Sequence, residues 1–99
     1  MKTRKEEYID RMATQLKDWT AKLDELESSV KGATADVKAG YENRIRELKE
    51  KRDALSSKLH ELRESGGDAW ETFRYGVDNA WEDFKGAITS ARDKFKKAA

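Results

Sequence analysis

The sequence predicts an all-α protein, an antiparallel coiled coil or bundle of three helical segments, and three observations predict it. About half of the 99 residues are Ala, Glu, Lys, Leu or Arg, and there is no proline, a composition typical of long helices and coiled coils. Apolar residues recur every three or four positions, and no more than two ever stand together. One Gly-Gly pair, Gly66-Gly67, separates two stretches of different period. A single domain over 1–99 is expected from the length. Leu, Ile, Val and Phe are scarce enough to suggest disorder, but the formal net charge is only +1, whereas disordered chains of that kind carry a large one.

The first stretch carries Ile9, Met12, Leu16, Trp19, Leu23, Leu26, Val30, Ala33 and Val37, alternating steps of three and four as a heptad seam does. Thr3 followed by Glu6 matches a capping box and starts the helix near residue 3. A second seam reads Ile45, Leu48, Arg52, Leu55, Leu59 and Leu62, joined to the first through Tyr41 by a stutter. The seam stays in phase from Val30 to Val37, which favours one long helix over about 3–64. A break at Lys31-Gly32-Ala33-Thr34-Ala35, with Gly32 as hinge, is the alternative. Gly66 and Gly67 form the clear turn, where glycine can supply a left-handed cap and Asp68 can cap the next helix with Glu71 reaching back.

The third stretch, about 68–97, repeats every 11 residues. Asp68-Ala69-Trp70-Glu71-Thr72-Phe73-Arg74 becomes Asn79-Ala80-Trp81-Glu82-Asp83-Phe84-Lys85, then Ser90-Ala91-Arg92-Asp93-Lys94-Phe95-Lys96. That period matches a nearly straight helix, so Ala69, Trp70, Phe73, Val77, Ala80, Trp81, Phe84, Ile88, Ala91 and Phe95 share one face. The antiparallel hairpin of second and third segments is the simplest fold. The first segment then packs either within its own chain, giving a monomeric bundle, or on a second chain, giving a homodimer related by domain swapping.

The blocks Tyr8-Ile9, Met12, Gln15-Leu16-Lys17 and Trp19, then Tyr41, Ile45 and Leu48, then Gly67-Asp68-Ala69-Trp70-Glu71 with Gly76-Val77 and Ala80-Trp81-Glu82 resemble those of a family of short bacterial coiled-coil proteins associated with stress responses. The likeness spans nearly the whole chain, and the last block is its most specific part. It implies a non-enzymatic, stress-linked role and brings no catalytic residues.

Chemistry is constrained independently of that likeness. The chain has no cysteine and one histidine, which excludes thiolate chemistry and multi-histidine metal sites. His60 follows a seam position and is expected on the surface. No nucleophile–base constellation stands out, and Gly66-Gly67 is too short to cradle a phosphate. No cofactor and no metal are expected, nor a nucleic-acid partner, since the basic excess such binding needs is missing. The absence of any long apolar run argues against a membrane span and for a cytoplasmic location. Arg52 at a seam position is read as a residue whose aliphatic stem covers the core, or as a register device. Pairs four residues apart (Glu7–Arg11, Asp18–Lys22, Glu27–Lys31, Glu42–Arg46, Glu47–Lys51 and Asp93–Lys97) fit solvated helix faces.

The expected interaction face is therefore Trp19 with Ala69, Trp70, Phe73, Val77, Ala80, Trp81, Phe84, Ile88 and Phe95. Helix association through it, in a structural or chaperone-like role, is the primary reading. The alternative is a lipid surface, since Arg74, Lys85 and Arg92 flank the Trp side of an amphipathic helix.

Overall fold

The computed structural model describes residues 2–98. They form three helices, α1 (Arg4–Lys31), α2 (Ala35–Glu64) and α3 (Trp70–Ala98). The helices run up, down and up in a rod of 51 × 22 × 17 Å, an all-α bundle as the periodicity predicts. α2 is antiparallel to both neighbours, so α1 and α3 are parallel.

The N-terminus of α1 starts as expected at Thr3, with one half of the capping box formed. The Thr3 hydroxyl accepts from the Glu6 N–H at 3.1 Å and donates to the Glu6 carboxylate at 3.2 Å, satisfying a backbone donor that the first turn leaves open.

The favoured continuous helix over 3–64 is corrected by the structure, which breaks it at Gly32. Gly32 closes α1 with its N–H bonded to Ser28 O at 3.2 Å, and Ala33 N–H bonds Val30 O at 3.1 Å. Gly32 itself keeps nearly helical backbone (φ −87°, ψ −1°), and the chain turns at Thr34 (φ −63°, ψ 160°). Thr34 then caps α2, its hydroxyl accepting from Val37 N–H at 3.5 Å. Glycine is about 1 kcal/mol worse than alanine inside a helix, and threonine is a good cap but an indifferent helix former. The in-phase seam could not reveal this. Val30 is buried and Val37 half-buried in the folded-back form, and the same spacing would serve a helix that runs on.

The second turn also differs in detail. α2 ends at Ser65, whose N–H and hydroxyl both bond Leu62 O, at 3.2 and 2.6 Å, and the Lys5 ammonium reaches over from α1 to the Ser65 carbonyl. The left-handed residue is Gly67 (φ 56°), two positions past the cap. α3 begins at Trp70 and not at 68. Glu71 N–H bonds the Asp68 carbonyl at 3.2 Å, while Thr72 and Phe73 N–H bond the Ala69 carbonyl at 3.0 and 3.3 Å. Backbone oxygens thus receive the amides that the Asp68 side chain was expected to take.

The core joins both seams to the aromatic face. Leu23, Leu26, Leu55, Leu62, Val77, Phe84 and Ile88 are almost wholly enclosed, with Ile9, Met12, Val30, Ile45, Leu48, Leu59 and Ala91 around them. α2 and α3 approach most closely, while α1 and α3 hold their backbones further apart. The side chains explain the difference: Gly76, Ala80 and Ala87 lie along the α2–α3 contact, whereas aromatic rings fill the space between α1 and α3.

Two of the ion pairs that close tie helices together. Glu27 pairs with Lys49 at 2.5 Å, and Lys51 with Asp83 at 2.6 Å. None of the six pairs expected at four-residue spacing forms among the described residues. Glu27 and Lys51 turn instead to neighbouring helices, which stand closer to their charged ends. Arg74–Asp78, at 3.7 Å, is a pair of that spacing that forms.

Candidate functional site

The face singled out in the sequence is assembled between α1 and α3 as an aromatic ladder. Tyr8 meets Trp70 with ring centroids 6.2 Å apart, and Trp19 meets Trp81 edge to face at 5.8 Å. Both contacts join residue i of α1 to residue i+62 of α3, and both recur after 11 residues. The hendecad period of α3 is therefore matched by Tyr8 and Trp19 in α1, a correspondence the heptad reading of α1 conceals. At the far end Tyr41 of α2 meets Phe95 edge to face at 5.4 Å. Such pairs add about 0.5–1.5 kcal/mol each beyond the area they bury.

The predicted face residues divide into three groups. Trp70, Val77, Trp81, Phe84 and Ile88 are buried; Trp19, Ala80 and Phe95 are half-buried against the core. Ala69 and Phe73 correct the expectation: Ala69 is exposed in the turn, and Phe73 is 40% exposed. Ala69 precedes the first residue of α3, in the turn that joins it to α2, and Phe73 sits at the edge of the stripe in the first turn of α3. Arg52 is half-buried on α2, its guanidinium bonded to the neighbouring Asp53 at 3.0 Å. His60 is exposed.

Polar contacts lock the ladder at its Tyr8 end. The Tyr8 hydroxyl donates to the Asp78 carboxylate, while the guanidinium carbons of Arg11 and Arg74 stand 5.5 and 5.9 Å from its ring centroid. Lys22 lies over the Trp19 ring at 4.2 Å. Burial, reinforced by the bond to Asp78, holds the Tyr8 phenol well above the usual tyrosine range. At the opposite flank the Lys49 ammonium holds the Glu27 carboxyl below its ordinary value, against a smaller opposing effect of burial.

These shifts have opposite consequences for stability. A phenol that keeps its proton more firmly when folded contributes fully below its unfolded pKa of about 10 and loses that contribution as pH rises further. Glu27 contributes above an unfolded pKa of about 4.3 and loses its contribution as pH falls through the lowered folded value. Chemical denaturation across pH is therefore expected to show stability declining above about pH 10. Tyr8→Phe should flatten the alkaline decline while leaving the acid one in place. An unchanged alkaline limb in that variant would show that Tyr8 does not titrate with unfolding.

The contacts of this face are those of side-chain packing. Among the described residues no group of three or more His, Asp or Glu is placed to hold a metal, and no helix is long and apolar enough to cross a membrane. No family model, no curated protein and no solved structure matches this chain.

Proposed function

We propose that this protein is a non-enzymatic helical module that works by helix association, in a structural or chaperone-like role linked to stress. One observation carries this reading. The aromatic stripe of α3, the most apolar surface in the chain, is closed against α1 and α2, with Phe84, Val77 and Ile88 wholly enclosed. What the folded chain presents outward is a set of charged helix faces on a rod, a form suited to contact with other helices.

The lipid reading needs the opposite arrangement. Trp70, Trp81 and Phe84 would have to leave the core before they could enter a bilayer interface, at a cost on the order of 1.5–3 kcal/mol for each ring exposed. Addition of anionic vesicles is therefore expected to leave tryptophan emission unshifted and the protein in the supernatant after sedimentation. A blue shift with co-sedimentation would replace the helix-association reading with the peripheral-lipid one. A chaperone-like role further predicts slower aggregation of a heat-unfolding client in the presence of the folded protein. An unaltered aggregation rate would leave the structural role alone standing.

A further inference from the structure

The outward side of α3 is as patterned as its buried side. Tyr75, Asn79, Glu82, Gly86, Ser90, Asp93 and Lys97 follow one another at three- and four-residue steps and all are exposed, forming a strip opposite the core. Tyr75 is 68% exposed, a large aromatic on a face that the bundle does not use. Eleven residues further on, Gly86 has no atom within 4 Å of where a Cβ would stand. It lies in an open depression of about 490 Å³ lined by Glu82, Lys85, Thr89, Ser90 and Asp93 among others.

Charge along α3 and the turn before it divides at Asp83. Residues 68–83 carry five carboxylates (Asp68, Glu71, Asp78, Glu82 and Asp83) against Arg74; residues 85–97 carry five cations (Lys85, Arg92, Lys94, Lys96 and Lys97) against Asp93. The helix dipole accounts for acids near the start and bases near the end. It accounts neither for the exposed tyrosine nor for the open depression further along the strip.

We infer that this strip is the contact between two copies of the chain, lying antiparallel about a two-fold axis near Asp83. A two-fold makes an interface self-complementary, and reversing α3 on itself sets its acidic half against its basic half. In that register Asp68 faces Lys97 of the other copy, Glu71 faces Lys96 and Glu82 faces Lys85. Tyr75 of each copy falls opposite Ser90 and Arg92 of the other, over the part of the depression that Ser90 lines, while Gly86 falls opposite Asn79, where its missing side chain lets the two helices approach. This inference deepens the helix-association reading by naming the partner as a second copy of this chain. The strip from Tyr75 to Lys97 is about 33 Å long and about 10 Å wide, roughly two-fifths of the area per partner of a standard specific interface. Its charged pairs are exposed at the rim, so the dimer is weak and weakens further with salt.

Sedimentation velocity over a concentration series tests the contact. The average mass should rise from 11.4 kDa towards twice that value, and should fall back when salt is raised from about 0.05 M to about 0.5 M. Gly86→Gln puts a long side chain between the two strips, and Tyr75→Ser removes the aromatic contact; both positions are exposed, so the melting curve should show the fold intact. Each should weaken the dimer by at least about tenfold. Glu82→Lys should weaken it likewise, and Lys85→Glu added to Glu82→Lys should restore it. A single 11.4 kDa species at every concentration would overturn the inference. A dimer indifferent to Gly86→Gln and Tyr75→Ser would also overturn it and would point to exchange of α1 at the Gly32 turn, leaving helix association itself standing.

Discussion

Replacing Phe84 with alanine is expected to cost about 3–5 kcal/mol, the range for deleting a fully buried aromatic whose cavity cannot collapse. Phe84 is wholly enclosed, and its ring lies 6.5 Å from that of Trp81, which in turn meets Trp19 of α1. The side chain therefore supports the contact through which α1 is held to α3. A domain of 99 residues has about 5–15 kcal/mol in total, so this one change removes between a fifth and all of it. At about 4 °C or more per kcal/mol for a chain of this size, the melting temperature followed by circular dichroism should fall by at least about 12 °C. Phe73→Ala, 40% exposed in the first turn of the same helix, should cost far less despite removing the same ring. If Phe84→Ala melted as the unaltered protein does, the buried face of α3 would not be what holds the bundle together.

The Gly32 turn should be convertible. Because Gly32 is already near helical backbone, the departure from a continuous helix lies mainly at Thr34, where ψ is 160°. Changing Gly32 and Thr34 together to alanine removes a cap worth about 0.5–2 kcal/mol and adds about 1 kcal/mol of helix propensity. A helix running from Arg4 to Glu64 would be about 90 Å long, far beyond the 51 Å length of the bundle. α1 could not then lie on its own α2, and its seam would be covered only by another chain. Gel filtration with light scattering should report twice the mass and an elongated shape. A compact species of 11.4 kDa would show that packing of Leu23, Leu26 and Val30 holds the hairpin closed without help from the turn residues. This dimer would differ from the one proposed through α3, since Gly86→Gln would leave it intact.

Sequence patterning reveals a great deal about the helices and less about their ends. The heptad positions from Ile9 to Leu62 and the hendecad positions from Trp70 to Phe95 face the core with few exceptions, because side-chain spacing alone sets which residues share a helix face. Phe73 is the exception in α3: it belongs to the stripe by angle but, at its edge, stays 40% exposed. The break at Gly32 did have a local signature, a glycine followed by Thr34 as cap and Asp36 in the next first turn. The uninterrupted phase of the seam masked it, since a hairpin and a straight helix satisfy the same repeat. The candidate site was half legible: α3 announces its aromatic face, but the 11-residue interval from Tyr8 to Trp19, which matches Trp70 to Trp81, is hidden in α1 by the heptad seam around it.

What the residues determine unaided is helicity and the division of each segment into a buried and a solvated side, because both depend on neighbours within about one turn. Tertiary structure alone decides where Glu27 and Lys51 find partners, how far α1 stands from α3, and whether α1 folds back at all. Those outcomes depend on groups distant in the chain meeting at one place. A repeat that reads the same in either arrangement carries no information about which of them is reached.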